Sequence, residues 1–216
     1  MYKNNGFLQV MKIEFTLTIL DHIGVLFFAI SGMLTAAERN LDFLGGFIIA
    51  FIAALGGGTV RDLLLNVEVE WMNSLSHVIT VIVGGALGLF FRRKLKKLRR
   101  TFFFFDTMGI SLFTVLGVQK GLSHDQIPLT AMFLGMISAT FGGVIRDVPC
   151  NEIPLIFRKE IYAIPCLTGA AIYLLGSYLN LLNPTLILIT SASVIFAFRS
   201  LAVYFKWKIP LISEVN

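Results

Sequence analysis

The chain has 216 residues, 56% of them hydrophobic and only 14% charged, with a net charge of +5. A soluble domain carries about 25% charged residues, so soluble globular, disordered and coiled-coil classes are excluded and a polytopic membrane protein remains. At roughly 20 apolar residues per span, the chain accommodates about seven spans and short loops. Nothing in it offers room for a separate soluble domain.

The N-terminal stretch 1–16 has no charged-then-apolar pattern with a small-residue cleavage site, so the first apolar stretch is expected to stay as a helix. Seven apolar segments follow at about 17–37, 43–66, 75–91, 102–120, 128–150, 160–179 and 184–206. They group into a first three-helix repeat at 17–91, a basic loop at 92–101, a second repeat at 102–179, and a seventh helix with its tail at 180–216. The expected fold is an all-α membrane protein: two inverted three-helix repeats plus one extra helix.

Seven of the 18 Lys and Arg fall in the run Arg92 to Arg100. Juxtamembrane basic runs mark the cytoplasmic side and can attract anionic lipid head groups; nucleic acid is not the expected partner. Counting spans from that loop puts the N-terminus outside and the C-terminus in the cytoplasm. Arg39, Arg158, Lys159, Lys206 and Lys208 then fall inside, and Glu68, Glu70 and Asp125 outside. Lys3 and Lys12 run against that asymmetry.

A shift of 85 residues superposes the sequence on itself without a gap. Asp21, Gly24, Phe28 and Gly32 fall on Asp106, Gly109, Phe113 and Gly117; Gly57, Gly58, Arg61, Asp62 and Asn66 fall on Gly142, Gly143, Arg146, Asp147 and Asn151. Charged residues within spans are rare, so two copies of Gly-Gly-x-x-Arg-Asp at one offset are a duplication rather than chance. Three spans are an odd number, so the second copy enters the membrane from the opposite face. Inverted repeats of this kind are common in transporters, with sites at the repeat interface.

Gly56, Gly57 and Gly58 lie near the middle of the second span, and Gly142 and Gly143 at the matching place in the fifth. Such glycines either let helices approach closely or break the helix and free carbonyls that draw cations. Recurrence in both repeats, each time before Arg-Asp, favours at least one functional break. Arg61, Asp62, Arg146 and Asp147 are expected to face water or pair, because a charge at mid-membrane costs at least about 2.5 kcal/mol. Depth permits Asp21–Arg61 and Asp106–Arg146 ion pairs, as structural clamps or as gates. The hydroxyls of Thr59, Ser138 and Thr140 flank the glycines and either hydrate an ion or bond to their own backbone. His22, His77 and His124 lie in different segments without ligand spacing, so no metal site is expected. Cys150 and Cys166 are expected to pack as small apolar residues. No nucleophile–base set, phosphate loop or cofactor motif is present in the sequence, which points away from an enzyme and from any cofactor.

With GGGTVRD, FGGVIRD and the Asp-x-x-Gly starts at Asp21 and Asp106, the chain resembles prokaryotic members of the trimeric intracellular cation channel family from about Leu17 to Lys206. That resemblance implies a homotrimer in the bacterial or archaeal plasma membrane, with a pore for monovalent cations, chiefly potassium, inside each subunit. It also implies that Gly56, Gly57, Gly58, Gly142 and Gly143 kink the helices lining that pore. The Lys-Glu-Val segment of animal members is missing here. Related bacterial two-repeat proteins resemble carriers of small amino acids such as glycine, so a secondary transporter of a small solute is the alternative.

Overall fold

The computed structural model describes residues 2–94, 98–179 and 182–210. Its seven helices are α1 (Tyr2–Glu38), α2 (Phe43–Leu64), α3 (Leu75–Lys94), α4 (Leu98–Ser123), α5 (Pro128–Asp147), α6 (Ala163–Tyr178) and α7 (Pro184–Tyr204). Helix α1 extends through the predicted N-terminal segment, and α4 begins within the predicted basic loop. Residues 95–97 of that loop, 180–181 and 211–216 lie outside the described residues.

Five helices hold stretches long and apolar enough to cross a bilayer: 13–38 of α1, α2, 100–123 of α4, α5 and α7. The third helices of the two repeats are α3, of 20 residues, and α6, of 16. At 1.5 Å per residue α6 covers about 24 Å, somewhat less than the bilayer core.

The first helices of the two repeats, α1 and α4, form the centre. Val25, Phe28 and Ala29 of α1 pack with Ile110 and Phe113 of α4 in one buried cluster. Phe28 and Phe113, equivalent under the 85-residue shift, meet at 5.4 Å between ring centroids. The contact is reciprocal: a Cβ on Gly24 would lie 2.5 Å from the Phe113 ring, and one on Gly109 2.7 Å from the Phe28 ring. Each glycine is the seat of the other repeat's phenylalanine. Helix α7 lies outside the repeats and covers α4 and α6 through Ile187, Leu188, Ala192 and Ile195.

The turns repeat as well. Asn40 and Asp125 end the first helix of each repeat, and Asn66 and Asn151 the second, all with φ between 53° and 58°. Asn and Asp tolerate that left-handed conformation better than other residues with a side chain. Behind each turn the amide of the next residue bonds back to a helix carbonyl, Leu41 to Ala36, Gln126 to Gly121, Val67 to Asp62 and Glu152 to Asp147, at 3.0 to 3.1 Å. These 6→1 bonds occupy otherwise orphaned carbonyls.

Candidate functional site

Helices α2 and α5 run without interruption through their glycines, so the expected break is absent and no carbonyls are released there. The glycines serve close approach instead. A Cβ on Gly57 would lie 2.1 Å from the Ser138 carbonyl oxygen, and one on Gly142 2.5 Å from the Ala53 carbonyl oxygen. These two contacts are again equivalent under the 85-residue shift, so α2 and α5 cross backbone to backbone between the repeats. The cost of Gly in a helix, about 1 kcal/mol per residue, is offset by this packing. Gly56 and Gly58 have ordinary room, with nearest contacts of 3.4 and 3.8 Å, and Gly143 faces the Tyr162 hydroxyl and the Arg146 guanidinium.

Helical periodicity carries the following Arg-Asp to the ends of the crossing, and the two copies adopt one local geometry. In each, the arginine Nε donates to the neighbouring aspartate at 2.8 Å, Arg61 to Asp62 and Arg146 to Asp147. In each, the aspartate's other oxygen accepts a backbone N–H eight residues on, at 3.3 Å, from Glu70 and from Leu155. All four side chains are buried. The motif thus folds the chain that follows α2 and α5 back onto the helix end.

Beyond that common unit the two sites differ. In the second repeat Arg146 donates to Asp106 at 2.9 Å, forming the expected pair, and to Ser31 of α1 at 2.9 Å. Asp106 also holds Arg199 of α7, with 2.8 Å between its Oδ2 and Arg199 Nη1. Arg146 and Arg199 lie over the rings of Phe102, Phe103 and Tyr162 at 4.3 to 5.0 Å, which shields the charges from lipid.

In the first repeat the expected Asp21–Arg61 pair does not form. Asp21 bonds to His77 of α3 at 2.8 Å, while Arg61 turns to Asp62 at 2.8 Å and Glu70 at 3.7 Å. Lys120 of α4 closes this cluster, 3.0 Å from both Asp62 and Glu70. Under the repeat His77 corresponds to Tyr162 and Glu70 to Leu155, so a more charged set stands at the first site. Sequence reasoning passed over Glu70, Lys120 and Arg199 as site residues. The signal for Arg199 was a charge inside an apolar span.

Thr59 and Thr140 donate to carbonyls of their own helices, Leu55 and Met136, at 2.8 and 2.9 Å, and Thr59 also accepts from the Trp71 indole at 2.9 Å. The Ser138 hydroxyl, buried beside the crossing, has no hydrogen-bond partner among the described residues. Cys150 and Cys166 are free and buried. His22 and His77, expected to stand apart, come together with ring centroids 4.5 Å apart.

Two cavities approach from opposite faces and end on the two copies of the motif. A small one of about 20 Å³ is lined by Asp21, Gly58, Arg61, Asp62, Glu70 and His77, room for a water or one dehydrated ion. A wide one of about 1090 Å³ opens on the opposite face, among Arg39, Arg100, Asp147, Glu152, Arg158 and Arg199. Between them stand the Gly57–Gly142 crossing and the Phe28–Phe113 pair.

Comparison with known proteins agrees with this architecture. The family described as Glycine transporter matches twice, over residues 18–93 and 103–178, which are the two repeats. The UPF0126 inner membrane protein YadS of Escherichia coli is 34% identical over 161 residues, 74% of this chain and 78% of that protein. The UPF0126 membrane protein YvgT of Bacillus subtilis is 30% identical over 195 residues, 89% of this chain and 94% of that one. Among solved structures, the TRIC trimeric intracellular cation channel orthologue from Rhodobacter sphaeroides superposes with a TM-score of 0.84 at 29% identity, over 88% of this chain and 98% of that one. A further prokaryotic TRIC channel gives 0.83 at 28% identity, over 89% and 98%. The chain is an integral membrane protein that belongs to the two-repeat family described as Glycine transporter, and it has the fold of the prokaryotic TRIC channels.

Proposed function

We propose that the protein is a passive channel for monovalent cations, potassium and sodium, that assembles as a homotrimer with a path inside each subunit at the α2–α5 crossing. The carrying observation is the pair of cavities that enter from opposite faces and end on the same motif, at Asp62 and at Asp147. Resemblance to solved cation channels over nearly their whole length supports the same reading. Around the small cavity Asp21, Asp62 and Glu70 stand with Arg61, Lys120 and His77, and these carboxylates can replace part of a cation's hydration. The role is transport rather than catalysis, in the plasma membrane of a bacterium or archaeon, with the N-terminus outside, the C-terminus in the cytoplasm and membrane lipids around the trimer.

A second reading is a carrier for a small zwitterion such as glycine. It is favoured by the closed crossing, which leaves one cavity wide and the other nearly shut, as one end state of alternating access would be. Adjacent carboxylates and guanidinium groups offer partners to both ends of an amino acid. Single-channel recording of purified protein in a planar bilayer, beside uptake of labelled glycine into proteoliposomes, separates the two. Discrete ohmic openings establish the channel. Saturable glycine uptake without openings establishes the carrier and overturns the first reading.

A further inference from the structure

We infer that Asp21, His22 and His77 form a binding site for a transition-metal ion of the zinc type at the mouth of the small cavity. One ligand atom from each lies within 4.8 Å of the other two. A zinc ion with bonds near 2.0 Å at tetrahedral angles holds its ligands about 3.3 Å apart, so side-chain adjustment suffices to close the set around an ion. Two imidazoles and one carboxylate are a donor set that zinc accepts.

Two observations beyond proximity support the assignment. First, His22 is oriented as a ligand. Its Nδ1 lies 2.9 Å from the Thr18 carbonyl oxygen, which accepts the ring proton and leaves the Nε2 lone pair facing Ser76 Oγ at 2.9 Å. A backbone carbonyl on the far nitrogen is the usual support of a metal-bound imidazole. Second, His77 is buried, its Nε2 rests on Asp21, and its Nδ1 has no hydrogen-bond partner among the described residues. The nitrogen that meets Asp21 is Nε2, so this contact, and not the Nδ1 on the other side of the ring, places His77 as a ligand. The sequence spacing hid the site because its two histidines stand 55 positions apart, on α1 and α3.

Asp21 and His77 also line the small cavity. An ion held between them stands across its mouth and blocks passage there; this consequence rests on the proposed pathway, whereas the site itself does not.

The test uses Zn²⁺ and the full chain in lipid nanodiscs. Calorimetry should find one Zn²⁺ bound per chain, and X-ray absorption should show imidazole ligation. His22→Gln, His77→Gln and Asp21→Asn should each weaken binding at least tenfold, and the exposed His124→Gln should not change it. Ser76→Cys, which puts a thiolate beside His22 Nε2, should tighten binding, a result that a folding defect cannot imitate. Unchanged affinity across His22→Gln, His77→Gln and Ser76→Cys overturns the site. In flux measurements Zn²⁺ added to that face should block wild type and spare His22→Gln. Zn²⁺ binding with flux unaffected would overturn the proposed pathway and leave the metal site standing.

Discussion

Asp106 of α4 holds Arg199 of α7 at 2.8 Å, and through it the helix outside the repeats is anchored to the buried end of the second one. The same carboxylate holds Arg146 at 2.9 Å, so one negative charge organises two guanidinium groups from two other helices. Asp106, Arg146 and Arg199 are 0%, 0% and 2% exposed. Removing one member of a buried pair typically costs about 3–5 kcal/mol, because the remaining charge stays behind.

Asp106→Asn should therefore destabilise more than Arg199→Leu, since it strands two cations rather than relieving one contact. The difference is read from thermal unfolding in nanodiscs. Adding Arg199→Leu to Asp106→Asn should recover part of the loss. Additive effects of the two substitutions would dismiss the coupling.

The glycines of α2 should separate cleanly. Gly57→Ala forces a Cβ to 2.1 Å from the Ser138 carbonyl, whereas Gly56→Ala and Gly58→Ala place theirs at 3.4 and 3.8 Å. The first should cost about 1–3 kcal/mol as overpacking and reduce flux strongly; the other two should change stability by less than about 0.5 kcal/mol. Gly142→Ala should match Gly57→Ala. Equal tolerance at all four positions would mean that the crossing yields freely.

Lys120 ties α4 to Asp62 and Glu70 on the closed side. Lys120→Met removes both links and leaves two carboxylates at the small cavity, so cation flux should rise several-fold and the rise should shrink at high salt as screening takes over. A fall in flux would assign Lys120 to the path's support rather than its closure.

Selectivity follows from the uninterrupted helices. On the proposed path the uninterrupted glycine segments free no carbonyls, so the carboxylates Asp21, Asp62 and Glu70 are expected to set the ion preference. Reversal potentials should favour cations over chloride and distinguish potassium from sodium weakly, because a highly selective filter surrounds the ion with rings of carbonyls. Strong exclusion of sodium would contradict this origin. Asp62→Asn should shift the potential toward that of chloride.

Much of the architecture was legible because duplication leaves a period. The 85-residue offset located the repeats and their inversion, while depth permitted two ion pairs, of which Asp106–Arg146 forms and Asp21–Arg61 does not. The fate of the glycines was not legible, because a helix penalty and a packing gain of similar size oppose each other, and only the neighbour across the gap decides between them. Ser138 and Ala53 are those neighbours. The partner of Asp21 was equally hidden: His77 stands 56 positions away on α3 and takes the carboxylate, so Arg61 lacks the counterpart that Arg146 has in Asp106. Arg199 lay in plain view as a charge in an apolar segment, but α7 has no second copy to draw the eye to it.

The left-handed turns at Asn40, Asn66, Asp125 and Asn151 carry a consequence for insertion. An Asn or Asp at a helix end asks only for water, and water is the same on either side of a bilayer. The device that ends these helices is therefore blind to direction, and each half of the molecule carries helix stops that work in either orientation. What distinguishes the faces is ionic: Arg39 stands beside Asn40, while His124 stands beside Asp125. On the proposed topology the direction of insertion is therefore carried by charge, above all by the seven basic residues from Arg92 to Arg100.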